Sequence, residues 1–414
     1  MRKNKFPSLI VLGILIVLSA ALSLSCNNSF GVFHEIQTEK PQEGTDTFVK
    51  VSVKALAEDN TNYYAAMAKI FYRPKTADKS SSTGSTVLKT WKLLKVNEKS
   101  DYFCSGMVSD GAETLYVASS TKESGTLNGI YRTKDAGASW DNLIAASDGT
   151  FSNSYVDALF FAGGHLFVSA HSNDAAGNNL YALYYYDDES FKLAGSAMAG
   201  LPYCITDLAY DGSNYWAINQ EKVFLGSVDT DGINFAADIA GGTPKADADK
   251  FLSGLFVDSQ NNVHVTTYND YLYTYSTASE VWFSPRVVSE SGSHTSSICL
   301  GKLIEITQGP SDATLPRLLI ANTSSTTSCG YYEYPYKDSS STTIQAVAGA
   351  NGIVAGGSST YNSTVRGKPV NVFYLSRDNT VLFVGLSSND SSSYSLYSST
   401  YSSAEGKWSG WSAE

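Results

Sequence analysis

The chain has 414 residues, of which 17% are charged, and it combines 27 tyrosines and 33 glycines with a formal net charge of −11. That acidity argues against nucleic acid or any other polyanion as a partner. Strand and turn formers dominate, and no long stretch of apolar residues at helical spacing follows residue 26, which excludes a helical bundle. At the N-terminus, Arg2, Lys3 and Lys5 precede a nearly unbroken apolar run from Phe6 to Ser25, the layout of an export signal. An uncleaved anchor is the alternative, because about twenty apolar residues can span a bilayer. Both readings put the remaining chain outside the cytoplasm.

The apolar run ends in Leu22-Ser23-Leu24-Ser25-Cys26 with Asn27, Asn28 and Ser29 behind it. This ending resembles the loose lipobox of spirochaete lipoproteins. The resemblance implies a signal peptide over residues 1–25, cleavage before Cys26, and acylation of that cysteine. The protein would then be held by lipid on a bacterial cell membrane, inner or outer, facing the periplasm or the surface. More than one acyl chain is what stable anchoring requires. Loss of Arg2, Lys3 and Lys5 takes the net charge from −11 to −14. Residues 26–46 read as a tether, with 31–38 open to pairing with a sheet, and 47–414 as the folded body. Four cysteines remain, Cys104, Cys204, Cys299 and Cys329. An even number permits disulfides in an exported protein, but buried thiols are the default reading and the spacing fits no metal site.

Internal repetition organises the body. Tyr102 to Ser109, Thr114 to Ser119, Asn128 to Thr133 and Ser139 to Ile144 read as four strands, with Asp110-Gly111-Ala112-Glu113 turning between the first two. The same order returns from Val156 through the Gly163-Gly164 turn, from Ile205 through Asp211-Gly212-Ser213-Asn214, and from Leu252 through Asp258 to Asn262. It returns again at Ile298 to Tyr334 and at Val370 to Trp411, while Phe48 to Val96 has room for one more unit. Units of roughly fifty residues match four-stranded blades, which bury their faces only by standing side by side. The predicted fold is therefore all-β, a seven-bladed β-propeller of four-stranded antiparallel blades. Six or eight blades remain open, because Tyr63 to Tyr72 reads as one long strand or two short ones.

Thr133-Lys134-Asp135-Ala136-Gly137-Ala138-Ser139-Trp140 falls between the third and fourth strands of one unit. It resembles the Asp-box, Ser/Thr-x-Asp-x-Gly-x-x-Trp, of sialidases, sortilin-like receptors and many secreted propellers. The resemblance gives Thr133, Asp135, Gly137 and Trp140 a structural role, as a hairpin that bonds its own backbone and packs an indole between sheets. Degenerate copies stand at Ser227 to Phe235 and at Ser402 to Trp408.

Sialidase activity makes demands that can be checked: three arginines on a carboxylate, a Tyr-Glu nucleophile pair and an acid. Beyond the signal there are six arginines, Arg73, Arg132, Arg286, Arg317, Arg366 and Arg377. Arg132 abuts the Asp-box and Arg377 falls in a first-to-second strand turn on the same face, leaving four for three roles. The histidines, His34, His165, His171, His264 and His294, show no metal-ligand spacing, and no nucleophile elbow or phosphate loop occurs. No cofactor is implied. The acidic run Asp187-Asp188-Glu189 reads as a turn, and the tyrosines from Tyr181 to Tyr186 and Tyr331 to Tyr336 as strand packing.

Second-to-third loops and blade-to-blade connections share one face of such a ring. The longest are residues 120–127, 171–179, 236–248, 286–297, 322–328, 349–368 and 386–393, nearly all on that face and rich in Ser, Asn, Gly and Thr. The expected function is thus a non-catalytic binding or scaffold protein of the envelope, anchored through Cys26, with a protein or glycan partner. A glycan-acting hydrolase of sialidase type is the alternative.

Overall fold

The computed structural model describes residues 51–76, 91–123, 125–144, 149–151, 154–236, 251–288, 299–311, 315–323, 330–335, 343–345, 365, 367–387 and 394–414. Cys26, the signal and tether readings, Cys329, Arg366 and several of the long loops lie outside the described residues, as do His34 and His294. The described residues all belong to the unit Phe48–Glu414.

Strands follow one another in sequence order within each sheet. The first blade is β1 (Ala55–Glu58), β2 (Asn62–Ala66), β3 (Ile70–Pro74) and β4 (Lys92–Leu93); the second is β5 (Phe103–Ser109), β6 (Leu115–Ser120), β7 (Leu127–Thr133) and β8 (Asp141–Asn142). The third is β9 (Tyr155–Ala162), β10 (His165–Asn173), β11 (Asn179–Tyr186) and β12 (Phe191–Leu193); the fourth is β13 (Asp207–Tyr210), β14 (Tyr215–Ile218), β15 (Val223–Asp229) and β16 (Gly232–Ala236). The fifth is β17 (Leu252–Val257), β18 (Val263–Thr267), β19 (Leu272–Ser276) and β20 (Val281–Phe283). After β21 (Arg286–Val288), the sixth has β22 (Leu300–Ile306), β23 (Arg317–Asn322) and β24 (Gly330–Pro335) among its described residues, followed by β25 (Thr343–Gln345). The seventh is β26 (Val370–Leu375), β27 (Val381–Leu386), β28 (Leu396–Ser402) and β29 (Lys407–Trp408), with β30 (Ser412–Ala413) also on β28.

The first strands β1, β5, β9, β13, β17, β22 and β26 are neighbours in that order, and β26 returns to β1. They form the inner wall of a closed ring. Second strands are buried throughout, as in β2, β14, β18 and β23, because both faces of each sheet meet an adjoining blade. Outer strands such as β8 and β20 are short and polar or half-exposed, which blunts their edges. Among the described residues the buried apolar side chains fall into seven clusters, and each spans one blade interface. Phe167 and Leu183 of the third blade, for instance, meet Tyr215, Phe224 and Phe235 of the fourth.

Two places differ from the sequence reading or complete it. The stretch Tyr63 to Tyr72 is two strands, turned at Met67 to Lys69 by a 2.9 Å main-chain bond. Residues 286–288, read as the start of a loop, pair in parallel with β25. Val287 is fully buried in the cluster between the fifth and sixth blades, so burial of one apolar side chain recruits the segment. Among the described residues the first blade is built from β1 to β4 and the seventh from β26 to β30. Their seam is packed by Val53, Tyr63, Phe71 and Trp91 against Phe383 and Leu396. Val53 N–H donates to Leu386 O across it at 3.1 Å.

Candidate functional site

Antiparallel succession sends first-to-second and third-to-fourth connections to one end of the ring and all others to the opposite end. The first of these, the turn end, is a set of self-satisfied aspartates. Asp59 accepts the N–H groups of Thr61 and Asn62, Asp110 those of Ala112 and Thr114, Asp211 those of Ser213 and Asn214, and Asp258 those of Gln260 and Asn262. In three of them the second carboxylate oxygen takes a side chain of the next strand. Tyr64 Oη lies 2.5 Å from Asp59, Trp216 Nε1 2.7 Å from Asp211, and His264 Nε2 2.9 Å from Asp258. Each buried polar tip thereby finds a partner, as burial requires.

The Thr133 to Trp140 stretch also lies at this end, turning from β7 to β8. Thr133 Oγ1 donates to Asp135 at 2.8 Å, Gly137 N–H returns to Thr133 Oγ1 at 2.9 Å, and Ser139 N–H reaches Asp135 at 2.8 Å. Gly137 has φ +91°, and a Cβ there would meet Leu94 at 2.6 Å. Trp140 Nε1 donates to Lys95 O and Gly137 O, both at 3.1 Å. The Ser139 hydroxyl and N–H, with the Thr133 hydroxyl, bring the Asp135 carboxyl down to about 2. The copy at Ser227 to Phe235 turns from β15 to β16, with Asp229 accepting Asp231 N–H and Asn234 Nδ2. Asp187, likewise, is bound by Glu189 N–H, Ser190 N–H and Lys192. These carboxylates are committed to their own turns. Among the described residues no group of three or more His, Cys, Asp or Glu is placed to hold a metal ion.

The opposite, loop end is organised differently. In five blades the first strand carries one residue too many for its partner, just inside the loop end. The extra residue is Ser105 in β5, Asp157 in β9, Ser253 in β17 and Asn371 in β26, and in β22 Gly301 and Lys302 together face a single residue. In the first and fourth blades Lys54 and Thr206 hold the same place, each followed by the first paired residue of its strand, Ala55 and Asp207. There Lys54 N–H bonds Ala66 O beside the Ala55 pairing, and Thr206 N–H bonds Ile218 O beside that of Asp207. A bulge re-aims a side chain that strict alternation would direct elsewhere. Each first strand thus places polar groups near its loop end, and of these Lys54, Asp207 and Lys302 line the axial channel.

Their contacts divide the mouth into sectors. Lys302 reaches past the fifth blade to the fourth, where Nζ meets Asp207 Oδ2 at 2.8 Å and Thr206 O at 3.0 Å. Leu255 N–H also donates to Asp207 Oδ2, at 2.9 Å. Ser253 donates to Leu300 O at 2.8 Å and Asn371 to Val53 O at 2.6 Å. Ser105 Oγ is buried without a hydrogen-bond partner. Asp157 holds His171 Nδ1 at 2.9 and 3.0 Å, and the imidazole stacks on Tyr155 with centroids 4.9 Å apart. Burial raises the Asp157 carboxyl, and the bond and charge of His171 offset part of that rise. Lys54 lies 3.6 Å from Glu123 and over the Phe103 ring.

Below the mouth is a cavity of about 590 Å³, walled by first-strand residues including Leu56, Phe161, Val257, Ile304 and Val372, with Lys54, Asp207 and Lys302 as its charged lining. Around the loop end stand exposed apolar side chains: Leu180 at 43%, Phe251 at 39% and Tyr268 at 47%. Tyr268 N–H bonds Phe251 O at 2.8 Å, which sets the two side by side.

Among the described residues the arginine side chains do not converge. Arg73 pairs with Glu414 in the seam of the first and seventh blades, and Arg317 pairs with Glu333 at 3.0 Å in the sixth, all four side chains being nearly inaccessible. Arg132 pairs with Asp141, and the Arg377 guanidinium bonds Gly111 O, both at the turn end. Of the four candidates for a carboxylate clamp, two are sealed in different blades. Cys104, Cys204 and Cys299 are free thiols, and burial raises the pKa of each. His165 packs on Tyr215, and His264 is buried between Asp258 and Thr274. The tyrosines Tyr331, Tyr332 and Tyr334 are buried in the blade interfaces.

The polar mouth escaped the sequence reading, although its signal is present. Val53-Lys54-Ala55, Cys104-Ser105-Gly106, Val156-Asp157-Ala158, Leu252-Ser253-Gly254 and Val370-Asn371-Val372 share one polar residue between apolar or small ones at the same step of the repeat.

No family model matches the chain, and no curated protein matches it. Among solved structures, YCF48 bound to D1 peptide is similar over 87% of this chain and 94% of that chain, at 13% identity and a TM-score of 0.47. The GH74 enzyme of Niastella koreensis is similar over 87% and 59%, at 13% identity and 0.45, and the Pan2 WD40 domain of Neurospora crassa over 82% and 86%, at 11% and 0.46. Likenesses at this level carry no activity, substrate or partner across. On its own strand order and closed succession of inner strands, the chain is a seven-bladed β-propeller.

Proposed function

We propose that this propeller is an exported lipoprotein, held on a bacterial membrane through acylated Cys26, that binds a protein or glycan partner at its loop end without chemistry of its own. The observation that carries the binding part is the contrast between the two ends. At the turn end the carboxylates are spent on their own backbone, whereas at the loop end Lys54, Asp207 and Lys302 line the channel and the exposed rings of Phe251 and Tyr268 stand side by side. Aromatic and apolar anchors around a polar centre are what recognition surfaces use. The sealing of Arg73 and Arg317 favours this reading over a sialidase-type hydrolase. The Thr133 to Trp140 turn acts, on this reading, as an Asp-box, a folding device.

The binding part is tested with the full chain on glycan and peptide arrays, alongside a Phe251→Ser/Tyr268→Ser variant and a sialoside hydrolysis assay. Retention of a defined glycan or peptide set, lost in the variant without hydrolysis, supports the proposal; hydrolysis at enzymatic rates overturns it. The anchor is tested by radiolabelled palmitate, which should enter the protein and fail to enter a Cys26→Ser variant.

A further inference from the structure

We propose that the axial cavity is a binding site for a monocarboxylate with an apolar tail, its head held by Lys54 and Lys302 and its tail lying along the inner strands. This stands apart from any partner bound on the rim, since it concerns the channel itself.

The size and lining define the ligand. A space of about 590 Å³ falls inside the range of roughly 300–1,000 Å³ typical of small-molecule sites, which are mostly apolar with a few placed polar groups. Leu56, Phe161, Val257, Ile304 and Val372 line it from five of the seven blades, so a hydrocarbon tail along the axis finds apolar side chains beside the charged groups. The charged lining is two cations and one anion: Lys54, Lys302 and Asp207. Asp207 Oδ2 already takes Leu255 N–H and Lys302 Nζ, at 2.9 and 2.8 Å. Lys54 is the least committed of the three. Its carboxylate neighbour, Glu123, is 3.6 Å away with a side chain 73% exposed, where water screens the attraction.

The lining is thus net positive by one charge, in a chain whose overall charge is −11. A field of that sign, set in low-dielectric walls, selects an anion. Asp207 sets the limit on its charge: a dianion would face repulsion from the Asp207 carboxylate, whereas a single negative charge matches the single excess cation. Lys302, which extends across the fifth blade, is long and flexible enough to share its ammonium between Asp207 and an arriving carboxylate.

The test is calorimetric titration of the full chain carrying Cys26→Ser, with octanoate against octanamide, and N-acetyl-Leu-Leu with a free against an amidated terminus. The two pairs separate a fatty-acid source from a peptide C-terminus. The expected result is saturable one-to-one binding of at least one free carboxylate, with its amide weaker by roughly tenfold or more, the scale of one lost charge-assisted hydrogen bond. Lys54→Met and Lys302→Met each weaken binding by a similar factor. Asp207→Asn tightens it, because it removes the competitor for Lys302. Unchanged thermal unfolding of each variant guards against loss of fold. Equal binding of acid and amide overturns the proposal, as does no binding of either acid, or an Asp207→Asn variant that binds more weakly while remaining folded.

Discussion

Arg73 on β3 and Glu414 beyond β30 meet at 3.4 Å in the seam between the first and last blades, with side chains 5% and 0% exposed. Trp91 Nε1 donates to the same carboxylate at 3.0 Å and Ser398 Oγ at 2.5 Å, while the Arg73 guanidinium lies over the rings of Tyr63, Trp91 and Phe383. Among the described residues the two blades share no strand, so these contacts, the bonds of Val53 to Leu386 and Asn371, and the apolar cluster around them hold the ring shut. Breaking one side of a buried pair typically costs about 3–5 kcal/mol, because the remaining charge stays buried and alone. Glu414→Gln should therefore lower urea-unfolding stability by that order, and Arg73→Met/Glu414→Gln should recover part of the loss. A single variant within about 0.5 kcal/mol of the parent, the range of ordinary surface changes, would show that the seam is held without this pair.

The Asp135 carboxyl sits at about 2 because the Ser139 hydroxyl and N–H and the Thr133 hydroxyl donate to its charged form. Its folded value lies below the usual aspartate value of about 3.9, so its contribution is present above that value and is lost as pH falls toward about 2. Asp135→Asn should be less stable than the parent near neutrality, and the two should converge in acid. Carboxyl NMR titration of Asp135, with acid unfolding of both proteins, checks the direction.

Inner strands of adjacent blades approach closely at Gly254, where a Cβ would stand 2.6 Å from Gly301 O and 2.9 Å from Thr266 Oγ1. Thr266 Oγ1 donates to that same Gly301 oxygen at 2.7 Å. Gly254→Ala should force the fifth and sixth blades apart and cost about 1–3 kcal/mol, the usual range for overpacking. Gly410→Ala, with nothing within 4 Å, should leave stability unchanged in the same urea titration.

Most of the blade pattern is legible because it is local. An apolar strand, an Asp or Gly turn and a second strand recur at fixed spacing, and Asp110, Asp211 and Asp258 sit where a turn needs a side chain to bond its own N–H groups. The first blade was ambiguous because Met67 to Lys69 reverses direction with no Gly, Pro or Asn. The β21 to β25 pairing was hidden because parallel pairing joins segments more than fifty residues apart. The loop-end bulges were hidden for another reason: Asp157 or Ser253 in an apolar strand looks like simple alternation, and only the pairing register shows the extra residue. Likewise nothing in the local sequence marks Glu414 as the partner of Arg73.

The loop end as binding surface is tested most directly by a photo-cross-linking residue placed, one at a time, at exposed apolar positions on each end of the ring. Leu180 and Tyr268 belong to the loop end; Val228 and Val281, 62% and 48% exposed, belong to the turn end. In living cells, irradiation should give discrete adducts from positions 180 and 268 and none from 228 and 281. Adducts confined to 228 and 281 would contradict the account.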